Sequence, residues 1–131
     1  MVLLLMAIAL TSATSSNDPM NLEYAQAYQQ SVQQHKPLMV VVGAPWCPAC
    51  NVLKQSTIIP MAQTGELNDV SLAMINRDEE PELVKQLTGG NNMLPQIIVF
   101  TNENGRWQRH KLLGFQTKQP IRSLIRRALG S

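Results

Sequence analysis

A chain of 131 residues, 44% hydrophobic and 15% charged, can bury one sizeable core without metal or covalent staples, which excludes a wholly disordered protein. Its net charge of +2 lacks the strong basic balance of nucleic-acid binders, and its two cysteines cannot build a multi-bridge scaffold. The charge is uneven, with seven Lys or Arg and no acid from Arg106 onward against a mostly acidic stretch from Glu66 to Glu103; one folded domain brings both together as ordinary solvated surface, with a weak patch for an acidic partner as the alternative.

Met1 to Leu10 is a short apolar run, followed by the small residues Thr11 to Ser16. The pattern predicts a signal-peptide-like segment and linker over residues 1–18, and hence a periplasmic or secreted protein, membrane-tethered if the segment is not cleaved. The run is too short for a standard bilayer-spanning helix. It opens at Met1, without the basic residues that usually lead such a segment.

Residues 19–131 read as one domain. Asp18-Pro19 can start a helix running to about Gln34, with Leu22, Ala25, Tyr28 and Val32 on one stripe. Lys36-Pro37 ends it. The branched run Leu38 to Val42 predicts a strand buried on both faces. Gly43-Ala44-Pro45 is a turn, and a helix follows from about Cys47 to Ile59, ended or kinked by Pro60. Val70 to Ile75 predicts a second strand, and Pro81 to about Leu87 a helix with Leu83, Val84 and Leu87 inward. Ile97 to Phe100 predicts a third strand, and Asn102-Glu103-Asn104-Gly105 a hairpin turn into a fourth over Arg106 to Leu113. Ile121, Leu124, Ile125, Ala128 and Leu129 give the last helix an apolar face for the sheet, with its arginines toward solvent. Alternating helices and strands, closed by a hairpin and a helix, predict a mixed sheet with helices on both sides, and chemistry beyond the strand C-termini.

Cys47 and Cys50 lie just past the first strand. A cysteine attacks a disulfide as its thiolate, and the free N–H groups and positive dipole end of a first helical turn favour that form. Cys47 stands where this help is greatest, and Cys50 is one turn on, within reach of a disulfide. The loop between them is too short for a purely stabilising bridge to be the better explanation. The pair therefore predicts thiol–disulfide exchange through a mixed disulfide on Cys47 that Cys50 resolves. Structural zinc takes four protein ligands, and His35 and His110 show no ligand spacing, so neither a metal nor a cofactor is expected. Trp46 can shield one side of the pair, and Pro95 stands at the edge of the third strand, where an extended substrate would find backbone to pair with.

These residues resemble the thioredoxin superfamily over about residues 20 to 129. The resemblance is carried by Lys36-Pro37 before the apolar strand, by Gly43-Ala44-Pro45-Trp46-Cys47-Pro48-Ala49-Cys50, by Ile75 to Pro81, by Leu94-Pro95-Gln96-Ile97-Ile98-Val99-Phe100, and by Leu113-Gly114-Phe115 after the hairpin. It implies an α/β, thioredoxin-like fold whose central mixed sheet has four or five strands flanked by helices. It implies that Cys47 is an exposed nucleophile and Cys50 the resolver. Pro95 is expected to be cis and to face the cysteines, Leu94 to pair with substrate backbone, and Gly114 to line the same groove. Trp46 and Pro48 complete the expected substrate surface. Partners would be protein thiols or disulfides, with room for a membrane-bound redox partner, no nucleic acid, and a monomeric state.

The signal-like start and the Lys-Pro approach look closest to exported bacterial members, including the C-terminal domain of the inner-membrane disulfide reductant carrier and small secreted relatives. The sequence departs from many thioredoxins at two places. A buried acid before the site falls at Val41, and its lysine partner at Met74, both apolar here. Pro48-Ala49 matches neither the Gly-Pro of reducing thioredoxins nor the Pro-His of the strong periplasmic oxidant. The expected activity lies on the reductant or isomerase side. The alternative is a binding or chaperone-like module with little turnover; a peroxidase lacks the positive clamp it would need.

Overall fold

The computed structural model describes residues 23–130. The leader and linker over 1–18 and the expected helix start at Pro19 lie outside the described residues. The elements run α1 (Tyr24–Gln34), β1 (Leu38–Gly43), α2 (Pro48–Leu53), a π-helical turn (Lys54–Ile58), α3 (Ile59–Gln63), β2 (Ser71–Asn76), α4 (Pro81–Thr88), β3 (Gln96–Glu103), β4 (Arg106–Leu113) and α5 (Lys118–Gly130).

The four strands form one sheet in the order β2-β1-β3-β4. β1 runs parallel to β2 and antiparallel to β3, which pairs antiparallel with β4. β1 and β3 are central, which explains why both read as unbroken apolar runs: alternate side chains enter opposite cores. Met39, Val41, Ile97 and Val99 pack with Leu53, Ile58 and Met61 and with Ile121, Leu124 and Ile125 of α5. On the other face Leu38, Val40, Val42 and Ile98 meet Ala27 of α1 and Val84 and Leu87 of α4. Each fully buried aliphatic side chain contributes about 1.5–3 kcal/mol, so β1 and β3 are the stable frame on which the site is mounted.

Three expectations need correction. The buried face of α1 is Ala27 and Ser31, whereas Ala25, Tyr28 and Val32 are exposed. Small residues let the helix backbone approach the sheet closely enough for the Ser71 hydroxyl to donate to the Ala27 carbonyl at 2.6 Å. Tyr28 turns outward and meets the Trp107 ring at 6.0 Å. Second, Pro60 does not end its helix, which continues to Gln63. Proline has no N–H for the Ser56 carbonyl and its ring crowds that carbonyl. The preceding turn widens instead, and Ile59 N–H donates to Lys54 O, five residues back. Third, Leu129 at the end of α5 is exposed, although Ala128 beside it still packs against the core.

The hairpin turn has positive φ at both Asn104 and Gly105, as a tight two-residue turn requires. The basic C-terminal stretch is partly paired within the molecule. Arg109 donates to the Gln86 carbonyl and Lys111 to the Thr88 carbonyl, placing two cations at the negative end of α4. Arg122 binds Glu66 in a fork, with Nε to Oε1 and Nη2 to Oε2. The apolar side of α5 is spent on the sheet core, and no described helix is long and apolar enough to cross a membrane.

The Arg122 hydrogen bond holds the Glu66 carboxyl below its usual range. A depressed folded value means the stabilisation is present above the unfolded glutamate value of about 4.3 and is lost as pH falls on through the folded one. Glu66→Gln is therefore expected to be slightly less stable than the native chain at neutral pH and to converge with it at acid pH. Urea midpoints between pH 7 and pH 2 measure this; a gap that did not narrow as the pH falls would assign the loss to packing instead.

Candidate active site

The loop between β1 and α2 is fixed at both ends before it reaches the cysteines. Arg77 N–H donates to the Gly43 carbonyl at 2.9 Å, Cys47 N–H to Ala44 O at 3.1 Å, and the Asn51 side chain to Pro45 O at 3.2 Å. Cys47 is the N-cap of α2, in extended conformation, with Pro48 at the first helical position, where no internal N–H bond is forfeited. Cys50 follows one turn later. The two are joined by a disulfide with Cα atoms 5.3 Å apart. Cys50 N–H donates to Cys47 Sγ at 3.2 Å. The asymmetry of the pair is thus written in the backbone: the sulfur at the cap faces an otherwise orphan helix N–H, which favours a negative charge there.

The implied exposure of Cys47 is not seen in this oxidised form. Cys47 is 6% exposed and Cys50 9%. Both pack with Ala44, and Leu94 covers them. The shoulder around them is open instead: Trp46, Pro48 and Ala49 are all exposed.

The peptide bond between Leu94 and Pro95 is cis. Pro95 is buried and lines the same cavity as Cys50. Gly114 N–H donates to the Pro95 carbonyl at 2.8 Å. Gly114 has φ +80°, a conformation that side chains resist, which accounts for glycine at this bend after β4. The structure therefore gathers Cys47, Cys50, Leu94, Pro95 and Gly114 in one place, with Pro48 on its rim. Trp46, next to Cys47 in the chain, is held by the β2–α4 loop: its indole N–H donates to Asp78 Oδ2 at 2.8 Å and the Arg77 guanidinium lies 5.2 Å from its ring centre.

Behind Cys50 lies an open cavity of about 340 Å³, lined on one side by the paired strand residues Val41 and Met74 and on the other by Pro45, Asn51 and Lys54. No carboxylate lines it; Lys54 is its charged side chain. Gly43 shapes it too, because a Cβ there would sit 3.2 Å from Cys50 Cβ.

Sequence reasoning missed Gly43, Gln96, Arg77 and Asp78. Gln96 is fully buried, and its Nε2 donates to the carbonyls of Asn91 and Met93 at 2.9 and 2.8 Å. A glutamine directly after the proline, in a run otherwise apolar, was the available signal. Among the described residues no three His, Cys, Asp or Glu side chains gather as a metal would need.

A cysteine pair that closes and opens a disulfide at the start of a helix, against a cis-proline loop on this mixed sheet, defines a thiol–disulfide oxidoreductase whose exchange partners are protein thiols and disulfides. The thioredoxin family model matches residues 20–127. A thioredoxin of Alicyclobacillus acidocaldarius subsp. acidocaldarius is 29% identical over 75% of this chain and 87% of its own length. A protein disulfide-isomerase of Gallus gallus is 30% identical over 76% of this chain, which spans only 19% of that longer protein. The solution structure of a thioredoxin from Thermus thermophilus superposes with a TM-score of 0.70 at 17% identity, covering 82% of this chain and 85% of that one. The chain belongs to the thioredoxin family.

Proposed function

We propose that Cys47 is the attacking thiol and Cys50 the resolving one, in a reductant or isomerase of exported proteins. The carrying observation is the hydrogen bond from Cys50 N–H to Cys47 Sγ at the N-cap of α2. Cys47 thiolate attacks one sulfur of a substrate disulfide and the other sulfur leaves as a thiolate. Cys50 then attacks Cys47 Sγ, releasing the second substrate thiol and leaving the Cys47–Cys50 disulfide; two electrons pass to the substrate. With no carboxylate behind Cys50, its proton goes to solvent in the open cavity or to the departing substrate thiolate. Leu94 and Pro95 take the substrate backbone, and Trp46, Pro48 and Gly114 form the surrounding surface.

A strong oxidant needs an unusually stabilised reduced form. The described hydrogen bond to Cys47 Sγ is one neutral N–H, which favours the reductant or isomerase side. The apolar run Met1 to Leu10 and the small residues after it support export, in the manner of exported bacterial relatives, with a membrane-bound protein as the source of electrons and the protein acting as a monomer.

In Cys50→Ser the first attack proceeds and the second cannot. This variant is expected to accumulate mixed disulfides with protein substrates, seen as adducts on non-reducing gels that vanish with dithiothreitol. Partners bound equally well by the double cysteine variant, with no covalent adducts, would favour a binding module.

A further inference from the structure

We propose that Arg77 is a positioning residue for the substrate groove, locking the Asn91–Leu94 segment to Trp46 across the mouth of the site. The inference rests on the assignment of Leu94 and Pro95 as the substrate-binding edge. Three consecutive carbonyls of the segment are held from alternating sides. Gln96 Nε2 takes Asn91 O and Met93 O from within the protein, at 2.9 and 2.8 Å. Arg77 Nη1 takes the intervening Asn92 O from outside, at 3.1 Å. Two of the carbonyls converge on one nitrogen, so the segment bends around the Gln96 amide with Asn92 O turned out toward Arg77. Gln96 alone would fix the inward-facing carbonyls and leave the outward one to swing. The same guanidinium lies 5.2 Å from the Trp46 ring centre, within the range of a cation–π contact.

Arg77 can do this because its own backbone is anchored. Its N–H donates to Gly43 O, at the end of β1 and the start of the cysteine loop. Its neighbour Asp78 accepts the Trp46 indole N–H. One short turn after β2 therefore grips both rims: the Trp46 side through Asp78 and the ring face, and the Leu94 side through Asn92. A role as a long-range electrostatic lure is disfavoured by its surroundings, because Asp78, Glu79 and Glu80 follow it directly and are exposed. What arginine supplies here is a flat donor able to stack and hydrogen-bond at once, which lysine lacks.

A fixed segment matters to a substrate that must lie along it, and little to a small disulfide that needs only the sulfur. Pre-reduced wild type, Arg77→Ala and Arg77→Lys are compared in single-turnover reduction of insulin and of hydroxyethyl disulfide, each as a function of substrate concentration. The expected result for Arg77→Ala is a rise of about tenfold in the half-saturating insulin concentration, the combined loss of a cation–π contact and one hydrogen bond. The rate at saturation is expected to stay nearly constant, so that efficiency toward insulin relative to hydroxyethyl disulfide falls by about the same factor. Arg77→Lys is expected to recover little of it. Equal losses on both substrates, or an unchanged ratio, would overturn the proposal. So would full recovery by lysine with an effect that disappears in high salt, since that pattern belongs to charge attraction. A wild type inert toward both disulfides would overturn the exchange reading itself and this inference with it.

Discussion

Replacing Cys47 by serine is expected to abolish disulfide reduction, leaving insulin turbidity assays at the no-protein background. A serine hydroxyl can accept the Cys50 N–H at the N-cap as sulfur does, and serine is a good capping residue. The start of α2 should therefore survive the change, and far-UV circular dichroism should be unaltered. What is lost is the sulfur that forms the mixed disulfide. Cys50 remains, but it sits inside the first turn and not at its cap, with no cap N–H of its own. Turnover by Cys47→Ser equal to wild type would transfer the attacking role to Cys50 and reverse the polarity drawn from the cap. The bridge closes a short loop, so its removal should cost about 2 kcal/mol of stability, too little to account for a complete loss of activity.

The second large effect is on stability. Leu53 is fully buried, on the turn of helix that follows Cys50, and packs into the core formed by Met39, Val41, Ile97 and Val99. Leu53→Ala is expected to cost about 2–5 kcal/mol, the transfer term plus the cavity left behind. The neighbours are rigid strand residues, so the hole cannot close by a small shift, which places the loss toward the upper part of that range. Guanidinium unfolding of the oxidised protein measures it. An exposed control on the same helix, Val52→Ala, should change the midpoint little, since Val52 is 52% exposed. If both cost the same, the seat of this helix is not the core described above.

Elements whose burial pattern is set by strong local signals were legible in the sequence. β1, β3 and β4 stand within a residue or three of where branched runs and the Asn-Gly turn placed them, and the cysteine pair fell at the helix start that Pro48 marks. The cis bond at Pro95 and the closeness of Gly114 came from the resemblance alone, because composition and spacing do not distinguish cis from trans. The face of α1 was misread because apolar periodicity rewards large side chains. Close approach to the sheet selects the small ones, so Ala27 and Ser31 went inward while Tyr28 and Val32 stayed out. The helix was not seen to run past Pro60 because the widened turn that absorbs it depends on backbone bonds that no residue type announces. Arg77 was invisible for a different reason, since it acts on a carbonyl fifteen residues away; Gln96 was marked only by its polarity, because its partners lie on a loop whose path the sequence does not specify.

β4 is an edge of the sheet, and its sequence is unusually ill-suited to being joined. A free strand edge offers a row of unmated backbone groups to any other extended chain. Here Arg106, Arg109 and Lys111 ride along that margin, and two of them are moored to the carbonyl end of α4 and cannot fold out of the way. A second molecule approaching margin to margin would bring cation against cation along its whole length. The open border of the sheet thus discourages growth into stacked assemblies.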